Sequence, residues 1–339
     1  MIDFAGHRWI ALTISFVIFL IAAAALAIWQ LKPGIEFTSG SSFTLEFTEQ
    51  TVEQAALRSA LADLGHEEAR VQGASDNSFL IRTRELQGAP PVTSPTTAGP
   101  VETSQGEIDT LQNALCQRFG VVGADGTCTG VNRKDYSTVS EAVSKEIAWK
   151  ATAAVLAASV AILFYVTIAF RRLPKPFLYG SAAIVAVLHD AFIVLGLFAV
   201  LGEFDNREVD TAFITAILTV IGFSVHDTIV VFDRIRERLL ADPYVPLAEA
   251  VNASMTETLA RSINTSLVVV LTVVAMLLLG GESIQNFLIV LLVGIVSGTY
   301  SSIAVASQLV VSWESGDFGR FFRRLFGRKP ADAVAAPAA

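Results

Sequence analysis

The sequence predicts a polytopic α-helical membrane protein with six transmembrane helices and a small ferredoxin-like α+β domain between the first two. Of the 339 residues, 53% are hydrophobic and 17% are charged, whereas soluble globular chains carry about 25% charged residues. The apolar residues fall into six runs, each close to the roughly 20 residues that cross about 30 Å of hydrocarbon as a helix. A polar segment at 30–148 separates the first run from the others.

Each apolar run must be helical, because lipid offers backbone groups no hydrogen-bond partner. The first span lies within 1–29, which includes the N-terminus, and residues 233–262 and 312–339 are a loop and a basic tail. The other five spans are expected at 149–170, 178–201, 211–232, 263–279 and 285–311.

The loops differ in their content of Lys and Arg, which sets the orientation. These residues occur before span one, between spans two and three, after span four and after span six, whereas 202–210 contains only Arg207 and 280–286 contains none. Loops rich in Lys and Arg stay in the cytoplasm. We therefore expect a multi-pass protein of the cytoplasmic (inner) membrane, with both termini cytoplasmic and 30–148 extracytoplasmic.

The extracytoplasmic segment has the pattern of a mixed α and β domain. Alternation from Phe43 to Phe47 and the apolar run at 79–84 predict strands, and apolar residues at helical spacing predict helices at 52–64 and 108–119. This order fits a small ferredoxin-like sheet with helices on one face and leaves the strand order open. Residues 87–105 are rich in Pro, Thr, Ser and Gly and predict a flexible excursion.

Charge excludes one class of partner. The segment 30–148 carries nine Lys and Arg against sixteen Asp and Glu, and therefore accounts for nearly all of the net charge of −8. Nucleic-acid binding needs basic patches, so no nucleic-acid partner is expected. The basic tail is better suited to lie on anionic lipid.

Two further features of the chain leave alternatives open. Cys116 and Cys128, the only cysteines, both lie in the extracytoplasmic segment, where an oxidising compartment permits a disulfide, the alternative being two free thiols. In the cytoplasmic loop, an apolar stripe favours an amphipathic helix on the membrane surface over a docking site; its members are Ala248, Val251, Met255 and Leu259.

Ionisable residues inside the spans are the candidates for function. Asp227 lies in an apolar stretch, where an aspartate costs roughly 2.5–3.5 kcal/mol on insertion scales, so an intramembrane acid is a functional hypothesis by default. Arg261 enters span five at a similar depth. A nearby arginine would hold the carboxylate charged, and protonation would release the arginine, which makes the pair a two-state element. The alternative is an ion pair that only fixes helix packing.

Other polar and small residues in the spans support either a proton relay or packing. His226 and Thr228 flank Asp227, and His189 and Asp190 lie near the middle of span three. In span six, three small residues permit close helix approach; they are Gly294, Gly298 and Ser301.

The sequence contains no soluble-enzyme constellation. It has no Gly-rich phosphate-binding loop followed by Lys and Ser or Thr, and its four histidines and two cysteines have no metal-ligand spacing. We therefore expect neither a cofactor nor a metal, and energy that comes from an ion gradient or from a partner rather than from enzymatic catalysis.

Five motifs resemble the SecF branch of the SecD/SecF protein-export family, whose members have an RND-type architecture. They follow the family's order and spacing through all six spans: Gly34–Gly40, Leu188–Asp190, Gly222–Glu237, Thr258–Ser266 and Gly298–Ser302. The chain departs from the family at several positions. Phe223 and His226 stand where tyrosine and asparagine are usual, and Glu36 and Ser39 where aspartate and glycine are usual. His226 would add a group that titrates near neutral pH.

The resemblance implies a subunit that works with SecD and the SecYEG channel and couples proton flow to late movement of a translocating preprotein. It also implies that Asp227 and Arg261 belong to the proton pathway. Two other functions remain as alternatives: an RND-type proton-driven exporter of small solutes, and a structural assembly factor of the translocon. An exporter is expected to have twelve spans or a second large outer loop, whereas this sequence has six spans and short later outer loops.

Overall fold

The computed structural model describes residues 3–74, 77–86, 106–122, 128–281 and 284–317, and the structural statements below concern these residues. The predicted flexible excursion at 87–105 and the basic tail beyond 317 lie outside them. In chain order the elements are α1 (Arg8–Trp29), α2 (Ile35–Thr38), β1 (Gly40–Phe47), α3 (Gln54–Asp63), β2 (Arg70–Ala74), β3 (Ser78–Thr83), α4 (Glu107–Phe119), β4 (Val121–Val122), β5 (Cys128–Thr129), β6 (Val131–Val139), α5 (Glu141–Ala169), α6 (Pro176–Asp205), α7 (Thr211–Ala241), α8 (Leu247–Leu279), α9 (Gln285–Ser301), a π-helical turn (Ser302–Ala306) and α10 (Ser307–Glu314).

Six helical rods in the described part of the chain are long and apolar enough to span a membrane. They are α1, α5, α6, α7, α8 and the continuous rod formed by α9, the π-helical turn and α10. With the α+β domain between the first two rods, the structure confirms the predicted fold class.

The domain between α1 and α5 contains a four-stranded antiparallel sheet in the order β2-β3-β1-β6. Together with α3 and α4, this order is the split βαβ arrangement of ferredoxin-like folds. Phe43, Leu45 and Phe47 alternate along β1 and pack on one face of the sheet with Leu57 of α3 and Leu115 of α4. We call this unit the α/β domain. A disulfide between Cys116 and Cys128 joins α4 to β5.

The membrane bundle is built around α6, α7 and the sixth rod. Large aromatic side chains from several helices are fully buried in its core: Phe170, Phe198, Phe213 and Phe232. In contrast, α1, α5 and α8 carry many exposed apolar side chains, as helices that contact lipid or another membrane subunit do.

The prediction of an amphipathic surface helix in the loop at 233–262 is wrong. The fourth span continues to Ala241 and the fifth begins at Leu247, so both helices extend past the predicted spans and only a short turn joins them. Val251 and Met255 are buried in the core of the bundle. The apolar stripe therefore contacts protein rather than lipid, because α8 runs without a break from the loop into the membrane.

Candidate functional site

Asp227 is a buried carboxylate at the contact of α7, α8 and the sixth rod. Its side chain lies among helices, and the residue is 7% exposed. Ser262 Oγ of α8 donates a hydrogen bond to Asp227 Oδ1 at 2.6 Å. Ser302 Oγ, at the start of the π-helical turn, donates to Asp227 Oδ2. Each carboxylate oxygen thus has a hydroxyl donor, which offsets part of the cost of removing the charge from water.

Asp190 of α6 lies in a second and more complete cage of hydroxyl groups. It is 1% exposed. Ser224 Oγ and Ser301 Oγ donate to its Oδ2 at 2.7 and 2.6 Å, and Ser297 Oγ donates to its Oδ1 at 2.7 Å. These donors come from α7 and α9, so the carboxylate ties three spans together.

His189 adds a titratable group to the second cage. Its Nδ1 lies 3.2 Å from Asp190 Oδ1. Among the residues that the structure describes, none offers a hydrogen-bond partner to its buried Nε2 atom. If Nδ1 carries the hydrogen, Nε2 presents a free lone pair and can accept a proton.

Adjacent serines connect the two carboxylates. Ser301 binds Asp190 and Ser302 binds Asp227. The second serine begins the π-helical turn, a local change of helical pitch that is frequent at functional sites. The two acids therefore belong to one polar cluster, defined here as His189, Asp190, Ser224, Asp227, Ser262, Ser297, Ser301 and Ser302.

Two serines of the sixth rod, Ser301 and Ser302, each have two acceptors within reach. Ser302 Oγ also lies 3.0 Å from Thr299 O, and Ser301 Oγ lies 3.2 Å from Gly298 O. A hydroxyl has one hydrogen and donates well to one acceptor at a time. Each hydroxyl can therefore serve a charged carboxylate in one state and a helix carbonyl in another.

Small residues bring the sixth rod close to α7, as their type predicts. A Cβ atom at Gly294 would lie 2.3 Å from Val220 Cγ2, and one at Gly298 would lie 3.0 Å from Ser224 Cβ. This close approach places Ser297 and Ser301 within reach of Asp190. Thr228, although buried, donates to Ser224 O of its own helix rather than to Asp227.

Arg261 and His226 lie outside the polar cluster. Both are on exposed helix faces, and the expected ion pair between Asp227 and Arg261 is absent. Successive helical residues point about 100° apart, so the direction that brings Ser262 to Asp227 turns Arg261 outward. His226, next to Asp227 on α7, is turned outward for the same reason.

The exposed faces of α7 and α8 include several polar residues, although α8 also exposes apolar side chains. On α7 the exposed residues recur at helical spacing: Thr215, Thr219, Gly222 and His226. On α8 they include Arg261, Asn264 and Thr265. We call these seven residues the outward polar face.

Sequence reasoning found the acid at position 227 and missed the hydroxyls that surround it. Serines in apolar helices usually bond to their own backbone and carry little signal. One signal was present, because Ser297 and Ser301 are one turn apart and share a face. In the described part of the chain, no three His, Cys, Asp or Glu side chains lie close enough to hold a metal ion.

Sequence comparisons link the chain to protein export. The family profile described as "Protein export membrane protein SecD/SecF, C-terminal" matches residues 124–316. Protein translocase subunit SecF of Thermobaculum terrenum is 41% identical over 324 residues, which cover 96% of this chain and 98% of that protein. Protein translocase subunit SecF of Anaerolinea thermophila is 36% identical over 335 residues, covering 98% and 100%.

Larger proteins contain a similar region. The crystal structure of SecDF, a translocon-associated membrane protein from Thermus thermophilus, matches with a TM-score of 0.74 at 33% identity, covering 93% of this chain and 39% of that one. Protein translocase subunit SecDF of Bacillus subtilis is 44% identical over 183 residues, 53% of this chain and 24% of that protein. The chain thus spans at most about two fifths of these SecDF proteins.

Proposed function

The chain belongs to the SecD/SecF family of protein-export membrane proteins and is an accessory subunit of the protein translocase, and we propose that it couples proton flow to preprotein movement through Asp227. One observation carries the proposal: an ionisable side chain, held by two serine hydroxyl groups, lies where three membrane helices meet. A buried acid between membrane helices is costly, and its presence there supports a functional role.

The hydroxyl donors suggest how a proton would move the helices. The charged form of Asp227 attracts Ser262 of α8 and Ser302 of the sixth rod. When a proton binds, the carboxyl becomes a donor and that attraction weakens. Ser302 then turns to the carbonyl of Thr299, which it already reaches. The contact between α7 and its neighbours loosens until the proton leaves on the other side.

A second membrane subunit would complete the pathway. The outward polar face is poorly matched to lipid and well matched to a polar partner helix. SecDF relatives contain this region as part of a longer chain. We therefore propose that a SecD subunit covers this face and supplies a carboxylate or hydroxyl opposite Arg261 and His226.

The Lys and Arg content of the loops supports the proposed orientation. The α/β domain would lie outside the cytoplasm, where it contacts the emerging preprotein beside the SecYEG channel, and the basic tail would rest on anionic lipid. The translocase relatives favour protein export over export of small solutes.

The first prediction tests proton coupling at Asp227. Inverted membrane vesicles containing this chain, its SecD partner and the channel should export a preprotein faster when a proton gradient is imposed. Asp227→Asn keeps the size of the side chain and removes its charge, so the gradient-dependent gain should disappear while gradient-independent export persists. The measurement is protected preprotein per unit time with and without the gradient.

Asp233→Asn is the matched control for this experiment. Asp233 lies on the same helix, is exposed and pairs with Arg236, so its neutralisation should leave the gain intact. A normal gain in Asp227→Asn would contradict the proposal and favour a purely structural subunit.

A further inference from the structure

Another buried acid, Glu208, lies far from the polar cluster, in the short segment between α6 and α7. Glu208 is 3% exposed although it lies outside the membrane-spanning helices. Arg82 Nη1 of β3 lies 2.9 Å from its Oε2, and Arg70 Nη1 of β2 lies 3.5 Å from its Oε1. The acid of a membrane loop is thus held by two arginines of the α/β domain.

The backbone strengthens the same junction. Gly34 N, in the segment that leads from α1 into the α/β domain, donates to Val209 O at 2.8 Å, and Val209 N donates to Lys32 O at 2.8 Å. A Cβ atom at Gly34 would lie 3.2 Å from Val209 O, so the absent side chain permits the close approach. Main-chain and side-chain contacts together therefore fix the segment around Glu208 to the α/β domain and to the chain that leads into it from α1.

The sixth rod joins this junction as well. Asn286 Nδ2, at the beginning of α9, donates to Glu208 O at 3.2 Å, and Arg207 donates to Gln285 and Asn286. The outer beginnings of α7 and α9 and the strands β2 and β3 thus meet at one place.

Glu208 lies close to the beginning of the helix that carries Asp227. Asp210 caps α7, because its side chain accepts a hydrogen bond from Phe213 N at 2.7 Å. From there α7 runs unbroken past Asp227, which lies about 24 Å along the helix at 1.5 Å per residue. A continuous helix transmits displacement along its axis, so a shift at Asp227 reaches the junction.

A cavity lined in part by charged side chains adjoins the carboxylate. It has a volume of about 250 Å³, and its charged lining consists of Glu68, Arg70, Arg82, Arg84 and Glu208. The Glu36 carboxylate also lies at this junction, beside Gly34, whereas the Lys32 ammonium is directed to Glu203 and Asn206. Burial raises the pKa of the Glu208 carboxyl, against the lowering influence of Arg82 and Arg70. The ion pairs are therefore needed to keep a buried carboxylate charged, and a neutral side chain would no longer attract the domain.

We propose that the ion pairs of Glu208 with Arg82 and Arg70 transmit movement of α7 to the α/β domain. These ion pairs are called the clasp below. This inference rests on the proposed function, because it says how a displacement driven at Asp227 becomes a displacement of the domain outside the membrane. Glu208 is a positioning residue: it takes no part in proton transfer and acts through the two arginines.

The experiment uses Glu208→Gln in the full chain with its SecD partner in vesicles. Three quantities are measured: gradient-dependent export, gradient-driven proton uptake, and hydrogen exchange of β2, β3 and residues 32–36 with and without the gradient. We expect proton uptake to be retained, while the export gain falls about fivefold or more, the lower end of ordinary coupling between sites. The gradient-dependent change in hydrogen exchange should disappear.

Two further variants make the test specific. Arg82→Gln should reproduce the effect, and the double variant should add little, because both changes break one contact. Glu203→Gln is the matched control, since Glu203 is an exposed acid on the same side of the bundle, paired with Lys32 at 3.7 Å. It should leave all three quantities unchanged.

The outcomes separate this inference from the proposed function. Wild-type export gain in Glu208→Gln, or loss of its proton uptake, would overturn the clasp. If wild-type protein itself shows no gradient-driven uptake, the proposed function fails. The clasp is then judged by hydrogen exchange alone: faster exchange of β2 and β3 in Glu208→Gln than in Glu203→Gln supports it, and equal exchange rejects it.

Discussion

At the scale of single residues, the protein relies on serine hydroxyls to keep carboxylates in an apolar bundle. Asp190 has three such donors and Asp227 has two. A hydroxyl is neutral, so it stabilises the charged form of a carboxylate less strongly than a neighbouring arginine would, and the carboxylate can still be protonated. The hydroxyl also rotates freely to another acceptor. Such a cage holds an acid in place and still permits its protonation.

Asp190→Asn separates a relay from simple packing. The amide keeps the shape of the side chain and can both accept from and donate to the three surrounding serines, so the fold should persist, with unfolding temperature changed by only a few degrees. If Asp190 relays protons with His189, the gradient-dependent export gain should fall at least tenfold, about 1.4 kcal/mol.

The control for this prediction is a conservative change in the same cage. Ser297→Thr retains a hydroxyl donor to Asp190 and should preserve most of the gain. Full activity in Asp190→Asn would assign Asp190 to packing alone.

At the scale of elements, the contact between α7 and the sixth rod positions the polar cluster. The glycines of α9 allow the two helices to approach, and that approach brings Ser224, Ser297 and Ser301 to one carboxylate. The π-helical turn then directs the next serine to the other acid. Packing and chemistry are therefore inseparable at this interface.

Two glycine substitutions test the close approach. A methyl group at Gly294 would collide with Val220, and overpacking of this kind typically costs about 1–3 kcal/mol. Gly222→Ala is the matched change on α7, because in the described part of the chain no other element and no more distant side chain lies within 4 Å of its Cβ position. There the substitution should stabilise the helix by about 0.5–1 kcal/mol.

The measurement is the unfolding temperature of each purified variant in detergent. Gly294→Ala should lower it and Gly222→Ala should leave it unchanged or raise it. Equal effects of the two variants would argue against a tight α7–α9 contact.

At the scale of the whole molecule, the chain joins an α/β domain to a membrane bundle that exposes polar side chains on α7 and α8. The bundle buries Asp190 and Asp227, and the outward polar face is exposed on α7 and α8. An exposed arginine and histidine in membrane helices require a polar partner or the interface. The whole molecule is therefore expected to act as one part of a larger membrane assembly.

Arg261→Glu tests whether this face binds the second subunit. Reversing the charge should place two acids opposite one another, so recovery of a SecD partner in co-purification should fall at least tenfold, about 1.4 kcal/mol. Arg171→Glu, an exposed arginine between α5 and α6, serves as the control and should retain the partner. Equal recovery with both variants would remove Arg261 from the interface.

Several features were predictable from the sequence because they depend on local chemistry. The length and hydropathy of the apolar runs determine six spanning helices, and the cost of a charge in lipid marks Asp227. Alternation along Phe43, Leu45 and Phe47 identifies the strand β1. In contrast, β6 is polar and mostly exposed, so its strand conformation depends on pairing with β1 and leaves no hydrophobic pattern to detect.

Tertiary structure alone decided which groups meet. Asp227 was expected to pair with Arg261, yet the rotation of α8 presents Ser262 instead, because one position along a helix changes the direction of a side chain by about 100°. The contact of Glu208 with Arg82 joins residues far apart in the chain, and no periodicity encodes it. The sequence by itself thus determined the spans and the costly acid, whereas helix rotation and domain docking, which depend on long-range packing, determined the partners of each charge.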